Sequence, residues 1–303
     1  MGFLYFLEEL RFPALDEAML LITRLGEETA FLVAALVVFW CVDKRKGYYI
    51  MSVGFAGTMI NQFLKLLCAV PRPWVLDPNF TIVEQAREAA TGYSFPSGHS
   101  QNAVGTFGAI ASGTKQKWLR AVCIVIGVLV PLSRMYLGVH TPADVLTGSA
   151  IAVCLVVFMR PMITLQKEQG MKLVIGMMLV MALGLLLFVE KYPFPADTDI
   201  HNLESGMKNA YTMLGCLIGV AIVYVAEKKY VSFDTKAVWW SQILKAILGL
   251  AVVLLVKEGL RAPLEAVLSV YPARAVRYFL IVVTAGFLWP MTFKWFSKLG
   301  AKK

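Results

Sequence analysis

The sequence predicts an all-α fold: a polytopic membrane bundle of about nine spans, preceded by an amphipathic interfacial helix. Three observations predict it. The chain is 58% hydrophobic and 16% charged, with a mean hydropathy of +0.66, too apolar for a water-soluble domain of 303 residues. Several apolar stretches approach the ~20 residues that cross a bilayer as a helix. The basic residues fall mostly in alternate connections between those stretches, the asymmetry of a protein threaded repeatedly through a membrane.

Residues 3–28 come first. Phe3, Leu7, Leu10, Phe12, Leu20 and Leu25 are mixed there with Glu8, Glu9, Arg11, Asp16 and Arg24, the pattern of one or two helices lying at the membrane surface. Glu8 and Glu9 stand where a secretory leader needs Lys or Arg, so insertion is expected to use the first real span. Spans follow at 29–42, 48–67, 97–113, 119–139, 143–161, 171–190, 209–226, 240–257 and 277–296. The first is short and Lys245 interrupts the eighth, which leaves eight spans as the alternative.

One set of connections holds Lys44, Arg45 and Lys46; Lys115, Lys117 and Arg120; Arg160, Lys167 and Lys172; Lys228, Lys229 and Lys236; and Lys294, Lys298, Lys302 and Lys303. The opposite set carries acids, among them Asp77, Glu84, Glu88, Asp197, Asp199 and Glu204. The positive-inside rule puts the first set in the cytoplasm, with the amino terminus outside and the carboxyl terminus inside. The net charge of +9 is therefore a topology signal, and no nucleic acid partner is expected.

Three short stretches carry chemistry: Lys65-x6-Arg72-Pro73, Pro96-Ser97-Gly98-His99 and Ser133-Arg134-x5-His140-x3-Asp144. The predicted spans bring all three to the outer face, although charge asymmetry contains no information about them. Lys65 and Arg72 are seven residues apart, which would put both on one helix face if the helix runs close to Pro71. A lone boundary lysine would snorkel to the headgroups; with Arg72, Arg134 and two of the chain's three histidines converging, an anion site is favoured. Arginine offers a planar fork matched to phosphate oxygens and lysine a point charge.

Pro96-Ser97-Gly98-His99 reads as a helix start, where free N–H groups face any bound anion and Gly98 places no Cβ in the way. In His140-Thr141-Pro142-Ala143-Asp144, Thr141 reads as the cap, Pro142 as the first helical residue and Asp144 as the third. Its carboxylate can then reach His140 and fix the imidazole tautomer, the orienting logic of a catalytic triad. A plain capping aspartate explains the same residue, and both roles are compatible.

The other features are bland. Cys41, Cys68, Cys123, Cys154 and Cys216 show no paired spacing and read as small hydrophobes packed between helices. His201, beside Asp197 and Asp199, reads as a solvated loop histidine rather than a metal ligand. Trp239 and Trp240 read as an interfacial belt.

In order, spacing and residue type, the three stretches resemble the motifs of the type-2 phosphatidic acid phosphatase superfamily, over roughly residues 29–165. That group includes lipid phosphate phosphatases, undecaprenyl pyrophosphate phosphatases, glucose-6-phosphatase, bacterial acid phosphatases and vanadium haloperoxidases. The resemblance implies a metal-independent phosphatase without a cofactor. His140 would attack phosphorus to form a phosphohistidine and Asp144 would orient it. His99 would protonate the leaving oxygen and then activate water, while Lys65, Arg72, Ser97, Gly98 and Arg134 hold the phosphate oxygens.

The expected substrate is a lipid phosphate monoester or pyrophosphate. A small soluble phosphate is the alternative, because the nine-span, N-out, C-in layout is similar to that of glucose-6-phosphatase. A phosphotransferase using the same intermediate is another. The expected organisation is a surface segment over 1–28, a five-span catalytic core over 29–165 and a four-span extension over 166–303. The expected location is the bacterial plasma membrane with the site extracytoplasmic; the partners are the bilayer and the substrate, and no protein partner is predicted.

Overall fold

The computed structural model describes residues 1–164, 167–196 and 198–299. Of the charges used above, Asp197, Lys302, Lys303 and the side chain of Lys167 lie outside the described residues. Every regular element among the described residues is helical. Besides short 3-10 and π turns, the α-helices in chain order are α1 (Gly2–Glu9), α2 (Pro13–Thr23), α3 (Glu28–Cys41), α4 (Lys44–Cys68), α5 (Pro73–Leu76), α6 (Gly98–Gly113) and α7 (Lys117–Tyr136). There follow α8 (Pro142–Thr164), α9 (Lys167–Lys191), α10 (Ile200–Ala226), α11 (Trp239–Gly259), α12 (Arg261–Val267), α13 (Val270–Val283) and α14 (Phe293–Lys298).

Among the described residues, six helical segments are long and apolar enough to cross a bilayer: Lys44–Leu76, Lys117–Tyr136, Pro142–Thr164, Glu168–Lys191, Ile200–Val231 and Val270–Lys298. The sequence reading counted about nine. The difference has a physical source in α3, apolar but only 14 residues long, and in α6, 16 residues long with Gln101, Asn102 and Thr106 buried along it. Lys245, which made the 240–257 stretch ambiguous, lies inside α11. It is buried, donates to the Thr235 carbonyl at 3.2 Å and lies over the Phe293 ring at 4.5 Å.

Local chemistry sets the helix ends. The Asp43 carboxylate caps α4 by accepting from the Lys46 N–H at 2.9 Å, and α4 stops where Ala69 turns left-handed at φ 47°. The Asp199 carboxylate caps α10 by accepting from Asn202 N at 2.9 Å. One hydrophobic cluster runs from Phe31 to Phe296 and binds the first half of the chain to the second. Within it the Trp40 indole donates to the Ala285 carbonyl at 2.8 Å.

Ion pairs gather one set of connections at one end of the bundle: Lys44 with Glu227 at 2.8 Å, Lys172 with Glu168 at 3.0 Å, and Lys228 with the same Glu168. The helices that leave this end finish at the other, where the 69–97 and 137–141 connections and the start of α10 lie.

The amino-terminal segment forms the helices α1 and α2, and three of its charges, Glu8, Arg11 and Asp16, are engaged by protein groups. Arg11 donates to the carbonyls of Tyr136 at 2.9 Å and Thr81 at 2.8 Å. Asp16 accepts from the Tyr136 hydroxyl at 2.7 Å, and Asp77 accepts from the Tyr5 hydroxyl at 2.8 Å. So α1 and α2 fold over the end of α7 and the 77–83 loop. Cys123 and Cys216 are buried as expected, whereas Cys68 and Cys154 are exposed.

Candidate active site

All eight residues singled out from the sequence fall at the same end of the bundle. Lys65 ends α4, Arg72 lies in the connection after it, and Ser97, Gly98 and His99 open α6. Arg134 ends α7, His140 lies in the link to α8, and Asp144 is in the first turn of α8.

The second loop is built as its spacing suggests. Thr141 N donates to Asp144 Oδ2 at 2.7 Å, and Asp144 N donates to Thr141 Oγ1 at 3.3 Å, a reciprocal cap. The same Oδ2 lies 3.5 Å from His140 Nδ1. A residue the sequence reading missed completes this group: buried Ser94 donates to Asp144 Oδ2 at 2.6 Å and lies 3.4 Å from His140 Nδ1. Acceptors thus face Nδ1, which holds the proton there and leaves the Nε2 lone pair free. Arg72 Nη1 donates to that Nε2 at 3.0 Å. Burial first, and then the Arg72 guanidinium, holds the His140 imidazole well below the usual histidine range. It is a neutral ring with a lone pair aimed at a cation.

Lys65 and Arg72 reach the site by a route other than the predicted one. They do not share a helix face, because α4 ends at Cys68 and Arg72 is the residue before α5. The two X–Pro steps at Pro71 and Pro73 disfavour continuing the helix. Instead Lys65 Nζ bonds the Tyr93 carbonyl, and Arg72 donates to Gly92 O at 3.1 Å, Thr91 O at 2.7 Å and Val139 O at 2.9 Å. Most of the Arg72 fork is spent on backbone, which pins the 91–93 loop to the His140 loop.

Arg134 differs. It is fully buried, Nη1 donates to Thr23 Oγ1 at 3.0 Å, and Nε and Nη2 have no partner among the described residues. His99 Nε2 is likewise buried without a partner. Unpaired buried donors are costly, and here two of the three belong to a guanidinium, the group best shaped for a phosphate.

Ser97 is the cap of α6, with Pro96 just outside the helix rather than in its first turn. Ser97 N donates to the Asp144 carbonyl at 2.9 Å, and its Oγ accepts from Ser100 Oγ at 2.9 Å, so its own hydroxyl proton remains available. A Cβ on Gly148 would meet Ser97 O at 2.5 Å, and that close approach presses α8 onto this turn. At Gly98 a Cβ would meet only Asn61 Oδ1, at 3.6 Å, so the glycine leaves room beside the helix start. Asn61 Nδ2 holds the Pro96 carbonyl at 3.3 Å. A buried amide one helical turn before Lys65, inside an apolar run, was the legible signal for it; Thr23 left none.

His201 is not in this group. It lies in the first turn of α10, exposed, not in a loop, while its neighbour Asp197 is outside the described residues. Trp239 and Trp240 are exposed, 75% and 41%. Among the described residues no three His, Cys, Asp or Glu side chains converge as metal ligands.

The PAP2 superfamily model matches residues 45–168, and the model described as PAP2 superfamily phosphatase, transmembrane extension, matches residues 211–303. An undecaprenyl-diphosphatase of Bacillus subtilis is 31% identical over 141 residues, 46% of this chain and 70% of that protein. Phosphatidylglycerophosphatase B of the same organism is 31% identical over 163 residues, 48% of this chain and 74% of that protein. An undecaprenyl-diphosphatase of Sulfolobus acidocaldarius is 29% identical over 136 residues, 44% and 64% of the two chains. No solved structure matches the chain.

Proposed function

This chain belongs to the PAP2 superfamily, and on that premise we propose that it is a membrane phosphatase that hydrolyses a lipid phosphate monoester or diphosphate through a phosphohistidine. One observation carries the mechanism. His140 presents Nε2 to a cationic cradle while Asp144 and Ser94 hold Nδ1.

Nε2 attacks phosphorus, and the bond to the ester or anhydride oxygen breaks as His99 delivers a proton to that oxygen. His99 then takes a proton from water, the water oxygen attacks phosphorus, and the electron pair of the P–N bond returns to Nε2. Asp144 stabilises the ring charge that appears on attack. Arg134 supplies its two unpaired donors to the transferring oxygens, with Lys65, Arg72, Ser97 and the backbone at Gly98 completing the cradle. A bound phosphate would insert between Arg72 and Nε2, exchanging one acceptor for another.

The finer topology belongs to the same proposal. Nine crossings add α3, α6 and α11 to the six long apolar segments, with a catalytic core over 29–165, an extension over 166–303, and α1 and α2 at the outer interface. The end carrying Lys44, Lys172 and Lys228 faces the cytoplasm, which leaves the catalytic end extracytoplasmic in a bacterial plasma membrane. Support comes from the gathering of those basic connections at the end opposite His140.

The test is phosphate release by purified protein across phosphatidate, phosphatidylglycerophosphate, prenyl diphosphate, sphingosine phosphate and glucose 6-phosphate, with His140→Ala as control. Turnover of lipid phosphates that His140→Ala abolishes in a folded protein is expected. Near wild-type release by that variant sinks the nucleophile assignment, and hydrolysis of glucose 6-phosphate alone sinks the lipid reading.

A further inference from the structure

A cleft of about 980 Å³ lies beside the phosphate-handling residues, at the upper end of the volumes that hold small-molecule ligands. One wall belongs to the catalytic core: Arg72 and the 91–93 loop that it pins. The facing wall comes from the carboxyl-terminal half, where the first turns of α10 contribute His201, Asn202, Ser205 and Lys208. The distance between the walls is fixed by direct packing. A Cβ on Gly206 would come within 2.5 Å of Leu66 Cδ1, so α10 seats on α4 at the residue next to Lys65.

Arg72 is the link between cleft and chemistry. Its Nη1 touches His140 Nε2 at 3.0 Å, and the same residue, though buried, is part of the cleft lining. A phosphate held for attack by Nε2 is therefore one residue away from the cleft. The α10 wall offers an imidazole, an amide, a hydroxyl and an ammonium group, Lys208 lying 3.2 Å from Glu204; elsewhere the lining is apolar at Leu66, Leu67, Tyr192 and Phe194, and its cations Arg72, Arg87 and Lys208 outnumber its acids Glu88 and Asp199. A plain alkyl chain lying against that wall would strip water from these groups and give nothing back, whereas a polyhydroxyl or acidic group would pair with them.

We propose that this cleft is a headgroup subsite. It receives the group esterified to the scissile phosphate, and the α10 wall selects leaving groups that carry hydroxyls or acids close to that phosphate, as in a glycerol-based headgroup, over bare long-chain alkyl phosphates. The inference rests on the phosphatase reading above and assigns the carboxyl-terminal half a part in choosing the substrate.

The experiment compares kcat/KM for phosphatidylglycerophosphate and for dodecyl phosphate, using the full-length chain in detergent. Three variants suffice: Asn202→Ala and Lys208→Ala, which remove wall contacts at partly exposed positions, and Ser205→Trp, which fills the cleft. Wild type is expected to favour the glycerol-based substrate. Each variant is expected to lower its kcat/KM by roughly tenfold or more, while dodecyl phosphate stays within about twofold. Equal losses on both substrates, or no loss on either, overturn the subsite. Hydrolysis of neither substrate by a wild type that still releases phosphate from prenyl diphosphate overturns the subsite alone; release from no substrate of the wider panel overturns the phosphatase reading, and the subsite with it.

Discussion

Asp144→Asn isolates the charge of the carboxylate from its geometry. All three groups that meet Asp144 arrive at Oδ2: the Ser94 hydroxyl at 2.6 Å, the Thr141 N–H at 2.7 Å and His140 Nδ1 at 3.5 Å. An asparagine with its amide oxygen at that position keeps every one of these contacts, and its NH2 group occupies the Oδ1 side. The helix cap and the ring orientation therefore survive. What disappears is the attraction between a carboxylate and the imidazolium that forms when Nε2 bonds to phosphorus. At 3.5 Å and an effective dielectric constant of about 20, that attraction is worth about 4–5 kcal/mol, or roughly a thousandfold in rate. The loss is expected in kcat, because the charge develops only as the reaction proceeds. The assay is phosphate release in detergent micelles, paired with thermal unfolding to show that the fold is retained. A variant within tenfold of wild type in kcat would reduce Asp144 to a helix cap and refute the electrostatic role.

Arg134→Lys keeps the positive charge but removes the planar pair of unpartnered donors, so kcat/KM is expected to fall by roughly 10- to 100-fold; an unchanged value would mean that Nε and Nη2 never meet the substrate. Vanadate, which adopts a five-coordinate form like the transferring phosphoryl group, is expected to inhibit competitively, and EDTA to leave turnover unchanged. Inhibition by EDTA that magnesium reverses would replace the metal-free mechanism. For topology, a cysteine at exposed Asn79, in a background with the five native cysteines replaced, is expected to react with an impermeant thiol reagent on intact cells. A cysteine at exposed Gln116 is expected to react only after the membrane is opened, and the reverse pattern would put the site in the cytoplasm.

What could be read from the sequence depended on how far each contact reaches along the chain. The bonds between Thr141 and Asp144 span three residues, so the cap and the His140–Asp144 pairing were visible in one pentapeptide. Ser94 lies 50 residues from Asp144, and Thr23 lies 111 from Arg134; no local pattern announces either. The Lys65–Arg72 spacing misled because helical period was extended across a segment that ends in a left-handed residue at Ala69. The two cations nonetheless reach one loop, whose carbonyls at residues 91–93 collect both. Crossing number was the least legible property: the 97–113 stretch, read as a span, carries Gln101, Asn102 and Thr106, which the structure buries inside the bundle, so apolarity alone does not decide it.

The bond from Arg134 to Thr23 also sets a timetable. Its two partners are 111 residues apart, so at 5–20 residues per second they leave the ribosome roughly 6–22 s apart. During that interval the helix carrying Thr23 has no α7 to rest on. Arg134, once made, waits for a hydroxyl that was synthesised long before it. The phosphate cradle is complete only when the first thirty residues close back over a helix from the middle of the chain.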